Sequence, residues 1–213
     1  MAIEAVIFDF DGVIADSKGT IFKIYEAVCK EMDIEFYDSI SDFTKNLDGN
    51  YKHFYLKLGI KERDFSKANK IYKKHFLKLG EGIGLFEGVE EVLYLLKKKG
   101  FKIGICSNTH EFIVRTLLKR FGIEKYVDAV IGGKDINKLK PDPALIILVI
   151  EKLGVEADHT AYVGDMEVDM LAGKAAKVGR LIAVTYGYHT REMLDIFDPD
   201  AMAYTPEEIL ENL

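Results

Sequence analysis

The chain has 213 residues, of which 48% are hydrophobic and 30% charged. That length suits one domain, or one domain with an insertion, and the balance excludes disordered, collagen-like and low-complexity chains. A formal charge of −6 repels nucleic-acid phosphates, and no basic patch stands out to reverse it, so nucleic acid is not an expected partner. No apolar run approaches ~18 residues, so no membrane-spanning helix is expected. Met1-Ala2-Ile3-Glu4 lacks the basic start and long apolar stretch of a signal peptide, which makes a cytoplasmic location the expectation. Cys29 and Cys106 are the only cysteines. With no Cys-x-x-Cys and no Cys/His cluster, they read as reduced thiols and not as zinc ligands.

In chain order, Ile3 to Phe10 reads as a buried strand, since Ile3, Ala5, Val6, Ile7 and Phe8 are apolar and partly β-branched. From about Ser17 to Leu79 the pattern is helical with no convincing strand. Ile21, Ile24, Tyr25 and Val28 make one stripe; Phe65, Ala68, Ile71, Tyr72, His75, Phe76 and Leu79 make another. Lys18-Gly19 and Gly80-Glu81-Gly82-Ile83-Gly84 fence this segment and predict hinges at its two ends. Beyond it, a helix around Val89 to Leu96 stops at Gly100, one around Phe112 to Phe121 stops at Gly122, and Ala144 to Leu153 stops at Gly154. Between them Phe101–Cys106, Tyr126–Ile131, Thr160–Val163 and Leu181–Val184 read as short buried strands. Strands alternating with helices predict an α/β fold whose parallel sheet is covered on both faces.

Four segments at strand ends carry polar groups that a purely structural α/β domain does not need, and ligands of parallel sheets bind beyond those ends. In Asp9-Phe10-Asp11-Gly12, two carboxylates two residues apart lie on one side of an extended strand. Such a pair calls for positive charge, and oxygen ligands favour magnesium. In Ser107-Asn108-Thr109, a hydroxyl beside a helix start makes an anion cradle, and Asn108 with Glu111 is expected to cap the helix. In Lys138-Leu139-Lys140-Pro141, Pro141 pushes Lys140 towards extended geometry. In Gly164-Asp165-Met166-Glu167-Val168-Asp169, Asp165 and Asp169 are expected to share a face of the following helix. Four acids at neighbouring strand ends call for a metal.

Taken together, Asp9-Phe10-Asp11-Gly12-Val13, Ser107-Asn108, Lys140-Pro141 and Gly164-Asp165-x-x-x-Asp169 resemble, in order and spacing, the four motifs of the haloacid dehalogenase (HAD) superfamily. The helical insertion after the first motif, and Asp169 to Ala176, look like its phosphoglycolate phosphatase-like branch with a C1 cap. The resemblance implies a Rossmann-like parallel-sheet core (1–16 and 83–213) and an inserted α-helical cap (17–82). It implies a Mg2+-dependent phosphatase acting on a small phosphorylated metabolite, possibly phosphoglycolate, through an aspartyl-phosphate. Asp9 would be the nucleophile and Asp11 the acid and then the base. Ser107, the Asn108 backbone and Lys140 would hold the phosphoryl group. Asp9, the Asp11 carbonyl and Asp165 would bind Mg2+, with Asp169 supporting that shell or holding Lys140. Asp11 itself speaks against dehalogenation. The alternatives are a phosphosugar mutase, disfavoured because residues 16–21 contain no histidine, and a non-catalytic binding module, disfavoured by the intact motifs.

Overall fold

The computed structural model describes residues 2–133 and 138–213. The chain divides into two compact units: residues up to Ala15 together with Leu85–Leu213, and Asp16–Gly84. In chain order, β1 (Ala5–Phe8) opens the first unit. The second unit then supplies α1 (Lys18–Glu31), α2 (Ile40–Asn46), α3 (Tyr51–Lys57) and α4 (Phe65–Leu79). The chain returns to the first unit with α5 (Val89–Lys98), β2 (Lys102–Ser107), α6 (Glu111–Phe121) and β3 (Ala129–Gly132). It continues through α7 (Ala144–Leu153), β4 (Thr160–Gly164), α8 (Glu167–Ala176) and β5 (Arg180–Val184). The last elements are α9 (Arg191–Asp195), β6 (Ala201–Ala203) and α10 (Glu208–Glu211).

In the first unit, the strands form one parallel six-stranded sheet in the order β3-β2-β1-β4-β5-β6. All four residues of β1 are buried, because a parallel sheet carries helices on both faces and exposes neither. The helices that cover it each spend one stripe on the sheet. Leu145, Ile146, Val149, Ile150 and Leu153 of α7 are buried, as are Val89, Val92, Leu93 and Leu96 of α5. Gly122 and Gly154 end α6 and α7 in the left-handed region, at φ 74° and 62°, as the spacing predicts. Strand order reverses direction at β1, with β2 leading outward on one side and β4 on the other. This is the switch point where open α/β sheets leave a crevice for ligands.

The second unit is helical, built around rings. Tyr25 of α1 meets Phe54 at 4.9 Å, Tyr72 at 5.3 Å and Phe43 at 5.9 Å between centroids. Edge-on and tilted geometries of this kind add about 0.5–1.5 kcal/mol per pair beyond area burial. The buried Tyr55 hydroxyl is satisfied by Asn69 Oδ1 at 3.1 Å.

Several predicted boundaries move. The first strand is Ala5–Phe8, not Ile3–Phe10, and the chain turns from Phe10, whose carbonyl accepts from the Ile14 and Ala15 amides. The predicted strand Tyr126–Ile131 begins only at Ala129. A short 3-10 turn occupies Glu124–Tyr126, and the Asp128 carboxylate accepts from the Ile103 amide at 2.7 Å and pairs with Lys97 at 2.8 Å. Lys18 and Gly19, expected to form a hinge, both lie in the first turn of α1, whose hydrogen bonding begins at the Ser17 carbonyl. The strand Ala201–Ala203 is too short and too small-sided to announce itself in the sequence. Among the described residues no helix is long and apolar enough to cross a membrane. Both cysteines are free and buried, and burial pushes the Cys106 thiol up to about 12, so it is protonated and inert.

Candidate active site

The carboxyl ends of β1, β2 and β4 and the segment before α7 bring the four motif segments of the first unit together. Asp9 follows β1, whose amide hydrogen bond to the Val163 carbonyl (2.8 Å) continues the sheet by one residue. The chain then folds back through Gly12 N–H to Ala15 O (2.9 Å) and Ala15 N–H to Phe10 O (2.9 Å). Gly12 stands at φ +85°, and a Cβ there would lie 2.1 Å from Asp165 Oδ2, so both the turn and the approach exclude a side chain. Asp11, half-buried, accepts a hydrogen bond through Oδ2 from Thr109 Oγ1 at 2.7 Å.

Lys140 is 2% exposed, and its ammonium sits among acceptors. Nζ donates to Asp169 Oδ1 (2.6 Å), to the Tyr162 hydroxyl (3.1 Å) and to the Cys106 carbonyl (3.4 Å). It also lies 2.7 Å from Asp9 Oδ1. That contact is an ion pair without hydrogen-bond angles, since Asp9 Oδ1 has no hydrogen-bond partner. Burial works against the charge on Lys140, but Asp169 and Asp9 outweigh it and hold the ammonium above the ordinary lysine range. The Lys140 backbone is clamped by one side chain. Its N–H donates to Asn108 Oδ1 (2.9 Å), and its carbonyl accepts from Asn108 Nδ2 (3.2 Å).

That clamp overturns the capping expectation for Asn108. The N-cap position of α6 is His110, which makes no side-chain cap, and Glu111 pairs with Arg115 at 2.8 Å. Both polar atoms of the Asn108 amide engage the N–H and C=O of Lys140, which belong to successive peptide groups. Ser107 is buried, and its Oγ accepts from the Thr109 amide at 3.0 Å.

Asp165 and Asp169 do not share a helix face as predicted. Helix α8 begins at Glu167, so Asp165 lies in the loop before it. Asp169 instead turns back: its Oδ2 accepts from the amides of Met166 (3.0 Å) and Asp165 (3.3 Å). Its Oδ1 accepts from Lys140 Nζ and from the Tyr162 hydroxyl (2.8 Å). Both oxygens are therefore spoken for.

Oxygens of Asp9, Asp165 and Asp169 lie within 4.8 Å of one another, and all three residues are buried. Against them stands one buried lysine, which leaves two negative charges in excess. Burial raises Asp9 from 3.8 to about 7, with Lys140 opposing and Asp169 adding to the rise. Burial, then Asp169 and Asp9, push Asp165 well above the usual carboxylate range. Asp9 Oδ1 meets the Lys140 ammonium without a hydrogen bond, and Asp165 Oδ1 is buried without one, a costly state for Asp165 unless something positive faces it. A divalent cation with oxygen ligands fits that deficit. Asp9 and Asp165 have oxygens to give it, whereas Asp169, with its oxygens filled by Lys140, Tyr162 and two amides, does not.

A family model for haloacid dehalogenase-like hydrolases matches residues 6–184. The chain belongs to this family. A phosphoglycolate phosphatase of Escherichia coli (strain K12) is 33% identical over 145 residues, covering 68% of this chain and 57% of that protein. The match thus spans little more than half of that relative. A phosphoglycolate phosphatase of Aquifex aeolicus is 29% identical over 189 residues, covering 87% of this chain and 86% of that protein. The crystal structure of a haloacid dehalogenase-like hydrolase from Bacteroides fragilis superposes with a TM-score of 0.90 at 26% identity, covering 97% of this chain and 99% of that one.

In this HAD-like chain Asp9, Asp11, Ser107, Asn108 and Asp165 lie at or just beyond strand ends, Lys140 lies in the segment before α7, and Asp169 lies in the first turn of α8. Sequence pattern alone does not point to Tyr162, Thr109 or Tyr188. Tyr162 sits mid-strand in an apolar run and reads as core. The available signal was its hydroxyl, since a tyrosine in a fully buried strand needs a polar partner. Thr109 was visible beside Ser107-Asn108, but its reach to Asp11 crosses from one loop to another. Tyr188 acts through its backbone, which leaves no side-chain signature.

Proposed function

We propose that the protein is a Mg2+-dependent phosphatase that hydrolyses a small phosphorylated metabolite through an aspartyl-phosphate. One observation carries this reading. The Lys140 ammonium is held between Asp9 (2.7 Å) and Asp169 (2.6 Å), in a site where a buried Asp165 oxygen lacks any hydrogen bond. A lysine so fixed can meet a phosphoryl oxygen, and a carboxylate beside it can attack phosphorus.

In this reading Asp9 attacks phosphorus, and the bond from phosphorus to the ester oxygen breaks. Asp11 gives its proton to the leaving oxygen. Asp11 then takes a proton from water, the resulting hydroxide attacks phosphorus, and the bond to Asp9 breaks to release inorganic phosphate. Ser107, the Asn108 backbone and Lys140 hold the transferring group, while Asp169 and Asn108 hold Lys140. The Asp9 and Asp165 carboxylates and the Asp11 carbonyl would hold Mg2+, which would supply positive charge for the phosphoryl oxygens. The helical unit Asp16–Gly84 is proposed as the cap, the predicted 17–82, whose residues select the substrate. Both curated relatives are named phosphoglycolate phosphatases, so phosphoglycolate is the first substrate to test.

Phosphate release from phosphoglycolate, sugar phosphates, nucleotides and pyrophosphate, with and without Mg2+, tests the reading. Mg2+-dependent release from at least one is expected. Asp165→Asn should recover part of its rate in excess Mg2+, because it loses only a ligand charge. Asp9→Asn should not recover, because it loses the nucleophile. No release from any substrate by folded protein, or identical Mg2+ titrations for the two variants, would overturn it.

A further inference from the structure

We infer that the loop Tyr186–His189, directly beyond β5, is a positioning device for Asp165 that sets which of its oxygens faces the cation. The inference rests on the magnesium-dependent reading above. Asp165 is fully buried, and its two oxygens differ sharply. Oδ2 accepts from the Tyr188 amide at 2.7 Å, whereas Oδ1 has no hydrogen bond. The carboxylate is thus tied by one oxygen and offers the other.

Backbone packing reinforces the tie from two sides. A Cβ at Gly187 would lie 2.3 Å from Asp165 Oδ2 and 2.5 Å from both Asp165 Cβ and the Gly12 carbonyl. A Cβ at Gly12 would lie 2.1 Å from the same Oδ2. Both of these close positions are side-chain-free, and one methyl group at either would drive the carboxylate away from the Tyr188 amide.

The loop is anchored at several further points within the same unit. The Tyr186 hydroxyl donates to the Val13 carbonyl at 3.2 Å, joining the loop to the turn after β1. Tyr186 also packs edge-on against Phe86, with centroids 4.9 Å apart. The His189 amide donates to the Asp165 carbonyl at 3.3 Å. The buried His189 ring accepts at Nδ1 from the Glu167 amide at 3.3 Å, which assigns its proton to Nε2 and ties the loop to the start of α8. Such support costs nothing at the moment of metal binding, because the ligand is already oriented. Removing outer partners of metal ligands commonly lowers affinity about 10–100-fold.

Calorimetric titration of Mg2+ into wild type, Gly187→Ala and His189→Ala, each paired with metal-free thermal unfolding, tests the inference. Gly187→Ala should weaken Mg2+ binding about 10–100-fold, and His189→Ala about tenfold. Phosphate release by both should return towards wild type as Mg2+ is raised. Merely structural damage would lower the metal-free melting temperature without shifting Mg2+ affinity, and that result overturns the inference. If Gly187→Ala does not fold, His189→Ala decides alone, and wild-type affinity in it overturns the inference. Wild type that neither binds Mg2+ nor releases phosphate overturns the magnesium-phosphatase reading and this inference with it. Wild type that does both, with unaltered variants, overturns the role of the loop alone.

Discussion

Asp169→Asn is the sharpest perturbation of the buried network, because it changes one atom and two kinds of interaction. The carboxylate accepts from Lys140 Nζ and the Tyr162 hydroxyl through Oδ1, and from the Met166 and Asp165 amides through Oδ2. An asparagine amide has one acceptor atom and one donor atom. Turned one way, its NH2 group faces the two backbone amides; turned the other, it faces the lysine. Either orientation sets donor against donor and strands at least one buried group, at about 1–3 kcal/mol. Lys140 also loses its shortest charged partner and keeps only Asp9 at 2.7 Å. Removing one member of a buried ion pair costs about 3–5 kcal/mol. The two effects overlap, so a loss of about 3–5 kcal/mol in unfolding free energy is expected, read by urea denaturation of metal-free protein at neutral pH. Asp169→Glu, which keeps the charge but is longer, should also be destabilised by overpacking in so tight a site. A loss below about 1 kcal/mol for Asp169→Asn would mean the network is not holding Lys140 as described.

The metal-free protein should lose stability as pH rises. Burial raises Asp9 from 3.8 to about 7, so between those values the folded state holds a proton that the unfolded state has released. Stability is then greatest below about pH 4 as far as this group is concerned and is lost as pH rises through about 7. Asp165 shifts the same way, whereas the raised lysine acts only above its ordinary range. In EDTA the melting temperature should fall between pH 5 and 7.5, and added Mg2+ should restore more as pH rises; a flat or rising EDTA curve would refute this. Asp11→Asn should lose about 10²–10⁴ in rate on an alkyl phosphate, whose leaving oxygen needs a proton. On p-nitrophenyl phosphate the first step should survive far better than the second, giving a burst of p-nitrophenol before slow turnover. Equal losses on both substrates without a burst would make Asp11 a positioning residue.

Much of the α/β core was legible because its signal is local. Ala144–Leu153 is a helix with the predicted ends, since its apolar spacing and the following glycine both act within one turn. Thr160–Gly164 and Arg180–Val184 fall within one residue of the predicted strands, for continuous apolar runs admit few other fates in a covered sheet. Boundaries failed where tertiary contacts intervene. Asp128 holds the chain out of β3 by bonding to Ile103 and Lys97, residues 25 and 31 positions away. Gly19 sits inside a helix because the local cost of a glycine there, about 1 kcal/mol, is smaller than the gain from burying the Ile24, Tyr25 and Val28 stripe.

At the site, the acids and the lysine were legible as residue types, while their division of labour was not. Asp165 and Asp169 are the same amino acid four positions apart. One ends with a buried oxygen that nothing satisfies, and the other with each oxygen doubly bonded. The difference comes from the donors each meets: Lys140, Tyr162 and two nearby amides around Asp169, and only the Tyr188 amide, with Gly12 and Gly187 close by, around Asp165. Spacing along the chain identifies which carboxylates meet. Which of them keeps an oxygen for a cation is decided by how many donors the neighbouring strand ends deliver to each. Sheet order is what delivers them. Asp9 and Asp165 leave adjacent strands, β1 and β4, on the two sides of the point where strand order reverses. A permuted order with the same motifs would scatter these groups, and the buried negative charge that calls for a cation would not exist.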